Sequence, residues 1–211
     1  MMKYKQNKQN LIMKISTAFV CASFLFQFSC FGMIEEEERD FSSSKIVSVY
    51  KEDELEVLKG IEKKREDSKL RILFLCAGNA TRSQLAEGWA KSLGGDSVEL
   101  MSAGLNPRPL NPKAIQVMEE SGVDIKDHSS KKLNDSMIEW ADLVITTCNS
   151  SDEQCPMLPK GTSRLHWSIE APAIDFSDEE AVLNQVRTTS NAIQLHTLKL
   201  LNTLRDLNHI K

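Results

Sequence analysis

The stretch LFLCAGNATRSQLAEGW, residues 73–89, sets a cysteine at the end of an apolar run, follows it with small and polar residues, and places an arginine six positions later. The run RILFLC, residues 71–76, reads as a buried strand. A helix then begins near Arg82, with Leu85, Trp89 and Leu93 at four-residue spacing on one face and Gly94 and Gly95 closing it. A strand that ends in Cys76 and turns through Ala77, Gly78, Asn79, Ala80 and Thr81 into such a helix aims successive backbone N–H groups into one concavity, and such a concavity binds anions. These groups, the positive end of the helix dipole and the Arg82 guanidinium all favour a thiolate at Cys76. Arg82 also supplies a planar fork for two oxygens of a tetrahedral oxyanion while the sulfur attacks its centre. In this reading Gly78 lets the loop turn and Ser83 donates a hydroxyl hydrogen bond to the sulfur. A Cys-x5-Arg pair alone is equally a core cysteine and a surface charge; its place at a strand-to-helix junction is what points to function.

Outward from this stretch the pattern repeats. VELMSAG, residues 98–104, predicts a second strand, and NPKAIQVMEESG a helix capped by Asn111, with Pro112 in its first position and Gly122 at its end. ADLVITTC predicts a third strand, RLHW a short fourth, and residues 178–207 a long helix carrying Val182, Val186, Ile193 and Leu200. Short apolar runs alternating with helices predict an α/β fold, a small doubly wound parallel sheet of four strands flanked by helices and joined by right-handed crossovers. Ligands of such sheets bind beyond the carboxyl ends of the strands, where Cys76 and Cys148 both fall.

The chain has 211 residues, 41% hydrophobic and 27% charged, with a net charge of -4. That size predicts one domain, here residues 69–211. No Lys/Arg stripe offers a face for nucleic acid, so an anionic substrate must be met locally. Residues 1–40 differ in composition: Lys3, Lys5 and Lys8 precede an apolar stretch interrupted by Lys14, and acidic residues Glu35 to Glu38 follow. This is a signal-like leader, short of the roughly 20 residues of a membrane span, and it points to export or membrane contact. Residues 41–68 are polar and read as a linker, with a short amphipathic helix over KEDELEVLKGIEKK that Gly60 weakens.

Of five cysteines, Cys21 and Cys30 lie in the leader and Cys76, Cys148 and Cys155 in the domain. Three cannot all sit in static disulfides of one molecule. In TTCNSSDEQCPMLP, Cys148 ends a strand and Cys155 follows seven residues later. In a helix such a spacing spans about 10.5 Å, against about 4.4 to 6.8 Å for a disulfide, so bonding these two requires a bent or rearranged segment. The polar, weakly anchored sequence permits that, as a redox relay would need. A static disulfide and a zinc site of Cys148, Cys155 and His166 are the competing readings.

At these residues the sequence resembles the superfamily of low-molecular-weight protein tyrosine phosphatases and thioredoxin-coupled arsenate reductases. Residues 70–175 carry the likeness, with SAGL (102–105), NPKAI (111–115) and DHSSKKL (127–133) beside the loop. Ser83-Gln84, where the phosphatases have proline after the serine, and the spacing of Cys148, Cys155, PMLP and HW are similar to the reductase branch. The resemblance implies a relay without cofactor or metal: Cys76 forms an arsenic adduct, Cys148 attacks Cys76 and releases arsenite, and Cys155 moves the disulfide outward to be reduced by thioredoxin. The alternative it implies is hydrolysis of phosphomonoesters through a phospho-Cys76 intermediate. The family carries an aspartate before a proline after HW, but HWSIEAPAID has Ala171 there. Alanine donates no proton. Glu170, with Asp175 more distant, is the candidate substitute general acid, and a non-catalytic oxyanion-binding domain is a third reading. Lys131 stands where some reductases have an acidic residue beside a cation site that orders Asn79, Glu87 and Ser102, so its ammonium could replace the cation. His128 and His166 read as hydrogen-bonded loop residues, Trp140 and Trp167 as packing residues. Thioredoxin coupling suits a reducing cytoplasm and the leader suits export, so both compartments stay open.

Overall fold

A computed structural model describes residues 50–63, 69–149, 157–172 and 178–211. The leader with Cys21 and Cys30, and the positions of Cys155 and Asp175, lie outside the described residues. In chain order the elements are α1 (Glu52–Lys59), β1 (Leu70–Cys76), α2 (Arg82–Gly94), β2 (Val98–Gly104), α3 (Pro112–Glu120), α4 (Asp135–Trp140), β3 (Leu143–Thr146), β4 (Arg164–His166) and α5 (Glu179–Asp206). The strands form one parallel sheet in the order β2-β1-β3-β4. The chain leaves β1 for β2 on one side and returns to β3 on the other. The carboxyl ends of β1 and β3 therefore border the crevice in which a doubly wound sheet binds ligands.

All seven residues of β1 are buried, because helices cover both faces of the sheet. Ile72 and Phe74 point to one face, packing with Leu85, Ala86 and Trp89 of α2, Met118 of α3, and Ile193 and Leu200 of α5. Leu73 and Leu75 point to the other, with Val144, Met137 and Trp140. The expected caps are present: Asn111 Oδ1 accepts from Lys113 N at 3.0 Å, and Asp178 Oδ1 from Glu180 N and Ala181 N, each at 3.0 Å.

Part of the expected linker is packed structure. In α1 the Glu54 carboxylate accepts from Lys51 N at 3.1 Å, and Gly60 stands at the helix end rather than weakening its middle. Leu58 and Ile61 are buried in the same cluster as β1 and α5, and His209 Nε2 lies 2.9 Å from the Leu58 carbonyl oxygen. An apolar stripe at positions 55, 58 and 61 gives this short helix a face to bury. Among the described residues no helix is long and apolar enough to cross a membrane.

Candidate active site

The loop between β1 and α2 is turned inside out relative to an ordinary coil. Its carbonyls are taken up from outside, Ala77 O by Asn106 N, Gly78 O by Arg108 N and Ala80 O by Asn111 N, at 2.9 to 3.0 Å, while Thr81 O accepts the first helical bond of α2 from Leu85 N at 2.9 Å. The Asn79 carbonyl accepts from Gln84 Nε2 at 3.1 Å and Ser130 Oγ at 2.6 Å. In a trans peptide the N–H points opposite to the C=O of the same unit, so the N–H groups of residues 78 to 82 turn inward. One of them, Asn79 N, reaches Cys76 Sγ at 3.1 Å. No side chain caps α2 at Thr81, which leaves its first-turn N–H groups facing the same concavity.

The loop's left-handed residue is Asn79, with φ 46°, and not Gly78, to which the sequence reading gave the turn. Asparagine tolerates that conformation better than most side chains. Its amide is fully buried and extends a chain of donors: Asn79 Nδ2 donates to Ser83 Oγ at 2.9 Å and to Ser102 Oγ at 2.8 Å, and Ser102 Oγ donates to Glu87. Ser83 Oγ lies 2.9 Å from Cys76 Sγ, and with the sulfur as thiolate the hydroxyl is the donor of that bond. Asn79 Oδ1 accepts from Lys131 N at 2.7 Å. Gln84 Nε2 donates to carbonyl oxygens of Asn79 and Ser129, so its Oε1 is the acceptor and His128 Nδ1 the donor, 3.0 Å away. Burial lowers the His128 pKa below the usual histidine range. Gly104 is the missing piece of the support: a Cβ there would lie 2.7 Å from Asn79 N and 2.9 Å from Ala77 O, and only glycine lets the loop rest on β2.

Cys76 is 2% exposed and Cys148 fully buried, and neither is in a disulfide. Leu75 pairs with Thr146, so Cys148, two residues past the end of β3, follows one residue beyond the level of Cys76. Thr147 fastens that junction, its N and Oγ1 both donating to Leu75 O. Arg82 is 8% exposed and donates Nη1 to Ile169 O at 3.1 Å, tying the loop to the segment after β4.

The profile of the low molecular weight phosphotyrosine protein phosphatase family matches residues 71–202, the span that contains this loop and both thiols. The chain belongs to that family. It is 39% identical over 121 residues to arsenate reductase 2 of Staphylococcus epidermidis, covering 57% of this chain and 92% of that one. It is 36% identical over 128 residues to an arsenate reductase of Staphylococcus aureus, covering 60% and 98%. A solved structure of an arsenate reductase in the phosphate binding state superposes with a TM-score of 0.51 at 27% identity, covering 63% of this chain and 97% of that one.

Within this family likeness the segment after β4 departs from the expected pattern. Glu170 is exposed and, with Ala171 and Pro172, lines a groove of about 570 Å³ against Asn184 and Thr188 of α5. Its neighbour Ile169 is the residue that holds Arg82. Lys131 Nζ is 3.8 Å from Glu87 Oε2 and 3.2 Å from the Ser129 carbonyl. His166 Nδ1 is 2.8 Å from Thr146 Oγ1, and burial lowers its pKa. Trp167 packs between Phe74 and His196, at centroid distances of 5.8 and 5.2 Å. Among the described residues no three His, Cys, Asp or Glu side chains group as metal ligands would. The sequence reading missed Gly104 and the hub role of Asn79; a single asparagine in a run of small residues was the available signal for the second.

Proposed function

We propose that this protein reduces arsenate to arsenite through three thiols. Cys76, as thiolate, attacks arsenic(V) within the loop and displaces hydroxide, which leaves as water after protonation, to give a sulfur-arsenic adduct. The Cys148 thiolate then attacks Cys76 Sγ. The new S–S bond forms as the S–As bond breaks, and its electron pair stays with arsenic, which leaves as arsenite. Cys155 attacks Cys148 in turn, releasing Cys76 as thiolate, and a thioredoxin dithiol reduces the Cys148–Cys155 disulfide. The N–H groups of residues 78–82 and the Arg82 fork bind the oxyanion, and Ser83 steadies the sulfur. Glu170 is the proton donor to the departing oxygen in place of an aspartate at Ala171.

What carries the reading is one juxtaposition: two buried cysteines outside any disulfide, at or just past the carboxyl ends of adjacent strands, one of them at the start of a loop whose carbonyls are turned outward. The relatives named arsenate reductase support it. The loop taken alone supports a second reading, phosphomonoester hydrolysis through phospho-Cys76.

Arsenate-dependent NADPH consumption with thioredoxin and its reductase, run beside hydrolysis of an aryl phosphate, separates the two. Activity in the first assay is expected; activity in the second alone favours the phosphatase. Cys148→Ser should halt the cycle at the arsenic adduct, visible by mass spectrometry, and a Cys76→Ser enzyme that still turns over would overturn both readings. Glu170→Gln should slow adduct formation and alter its pH profile; an unchanged rate and profile removes Glu170 from the mechanism.

A further inference from the structure

We propose that Arg108 is a second cationic contact for the substrate, placed at the mouth of the Cys76 loop to draw doubly charged tetrahedral oxyanions onto it. The inference rests on the reading of that loop as an oxyanion site and adds the charge class the site prefers.

The segment after β2 runs beside the loop and bonds it at three points. Asn106 N, Arg108 N and Asn111 N donate to the carbonyls of Ala77, Gly78 and Ala80 at 2.9, 2.9 and 3.0 Å. Arg108 stands between Pro107 and Pro109. Proline fixes its own φ and restricts the residue before it, so the backbone that presents this arginine is set before any substrate arrives. Its side chain lies along Gly78: Cδ and Cγ are 3.5 and 3.6 Å from where a Cβ on that glycine would sit. The residue is exposed, and its guanidinium has no ion-pair partner among the described residues.

The two arginines of the site therefore differ in what they can do. Arg82 is buried and bonded to the Ile169 carbonyl, which suits holding an anion already in place. Arg108, without an ion-pair partner among the described residues, stands at the rim, where a charge acts on anions still in solution. The chain as a whole carries -4, so a doubly charged anion approaching it is repelled unless a local cation reverses the field. Such a contribution fades with salt, because the screening length shrinks from about 30 Å at 0.01 M to about 3 Å at 1 M.

The test compares wild type with Arg108→Ala, Arg108→Lys and Arg108→Glu. Binding of inorganic phosphate is read from its protection of Cys76 against alkylation by neutral iodoacetamide, across ionic strength, alongside kcat and KM for arsenate. At low salt Arg108→Ala should weaken phosphate binding about three- to tenfold, Arg108→Glu more, and Arg108→Lys should restore most of it. The difference should narrow as salt rises, and KM should move more than kcat. Wild-type phosphate affinity and salt dependence in Arg108→Ala would overturn the assignment while leaving the loop reading standing. If phosphate fails to protect Cys76 in the wild type, both fall together.

Discussion

At the residue scale the site depends on Asn79, which does two jobs that usually fall to different residues. Its backbone takes the left-handed turn at φ 46°, and its amide joins Ser83, Ser102 and Lys131 around Cys76. The two jobs can be separated by substitution. Asn79→Gly keeps the backbone conformation and loses the amide; Asn79→Ala loses both, and a left-handed alanine costs about 1 to 2 kcal/mol more. Thermal unfolding should therefore rank wild type above Asn79→Gly and Asn79→Gly above Asn79→Ala. An alanine variant as stable as the glycine variant would show that the turn carries no strain. Little of this was legible in the sequence, because the partners at 83, 84, 102, 130 and 131 converge only once β2 and the segment before α4 are folded against the loop. The cysteine, the arginine and the serine were legible, since strand, turn and helix N-terminus are contiguous there. For the same reason Gly104 was hidden: its need for glycine comes from a backbone 25 positions away in the chain.

At the element scale, strands and helices whose apolar period is long or whose ends are capped were read correctly, as with α3 between Asn111 and Gly122 and α5 from its Asp178 cap. The failures are short. Six residues of α4 are too few to display a period, and its cap at Asn134 lies in a run of polar residues. The sequence shows helix α1 as amphipathic but not where it packs, since nothing local says that Leu58 meets the sheet. Leu58 is fully buried, so Leu58→Ala should remove about 2 to 5 kcal/mol. For a unit of this size that lowers the melting temperature by about 5 to 15 °C. A change within 2 °C, roughly the smallest response expected per kcal/mol at this size, would mean that α1 adds nothing to the packed unit.

For the molecule as a whole, burial sets the response to acid. His128, His166 and His196 all have pKa values lowered by burial first; Glu87 opposes the shift at His128 more than either Lys131 or Lys91 adds to it, Arg164 adds to it at His166, and at His196 Lys199 adds to it while Glu54 opposes it. The folded state favours neutral rings, so below the usual histidine pKa of about 6.5 the unfolded chain takes up protons that the folded chain does not. Stability from these groups is full above about pH 6.5 and is lost as pH falls through the lower folded values. Melting temperature should drop between pH 7.5 and pH 5, and less steeply in His196→Gln; an increase towards acid would contradict the assignment. The bond between His209 and the Leu58 carbonyl has a separate consequence. Because helix α1 and the last residues of α5's extension meet, a short linker can join Lys211 to a chain trimmed to begin at Tyr50, reopened at the exposed turn of Ser121 and Gly122, at the far end of α3 from the Cys76 loop. Such a rearranged protein should fold and bind phosphate with native affinity, the connectivity having changed while every strand keeps its neighbours.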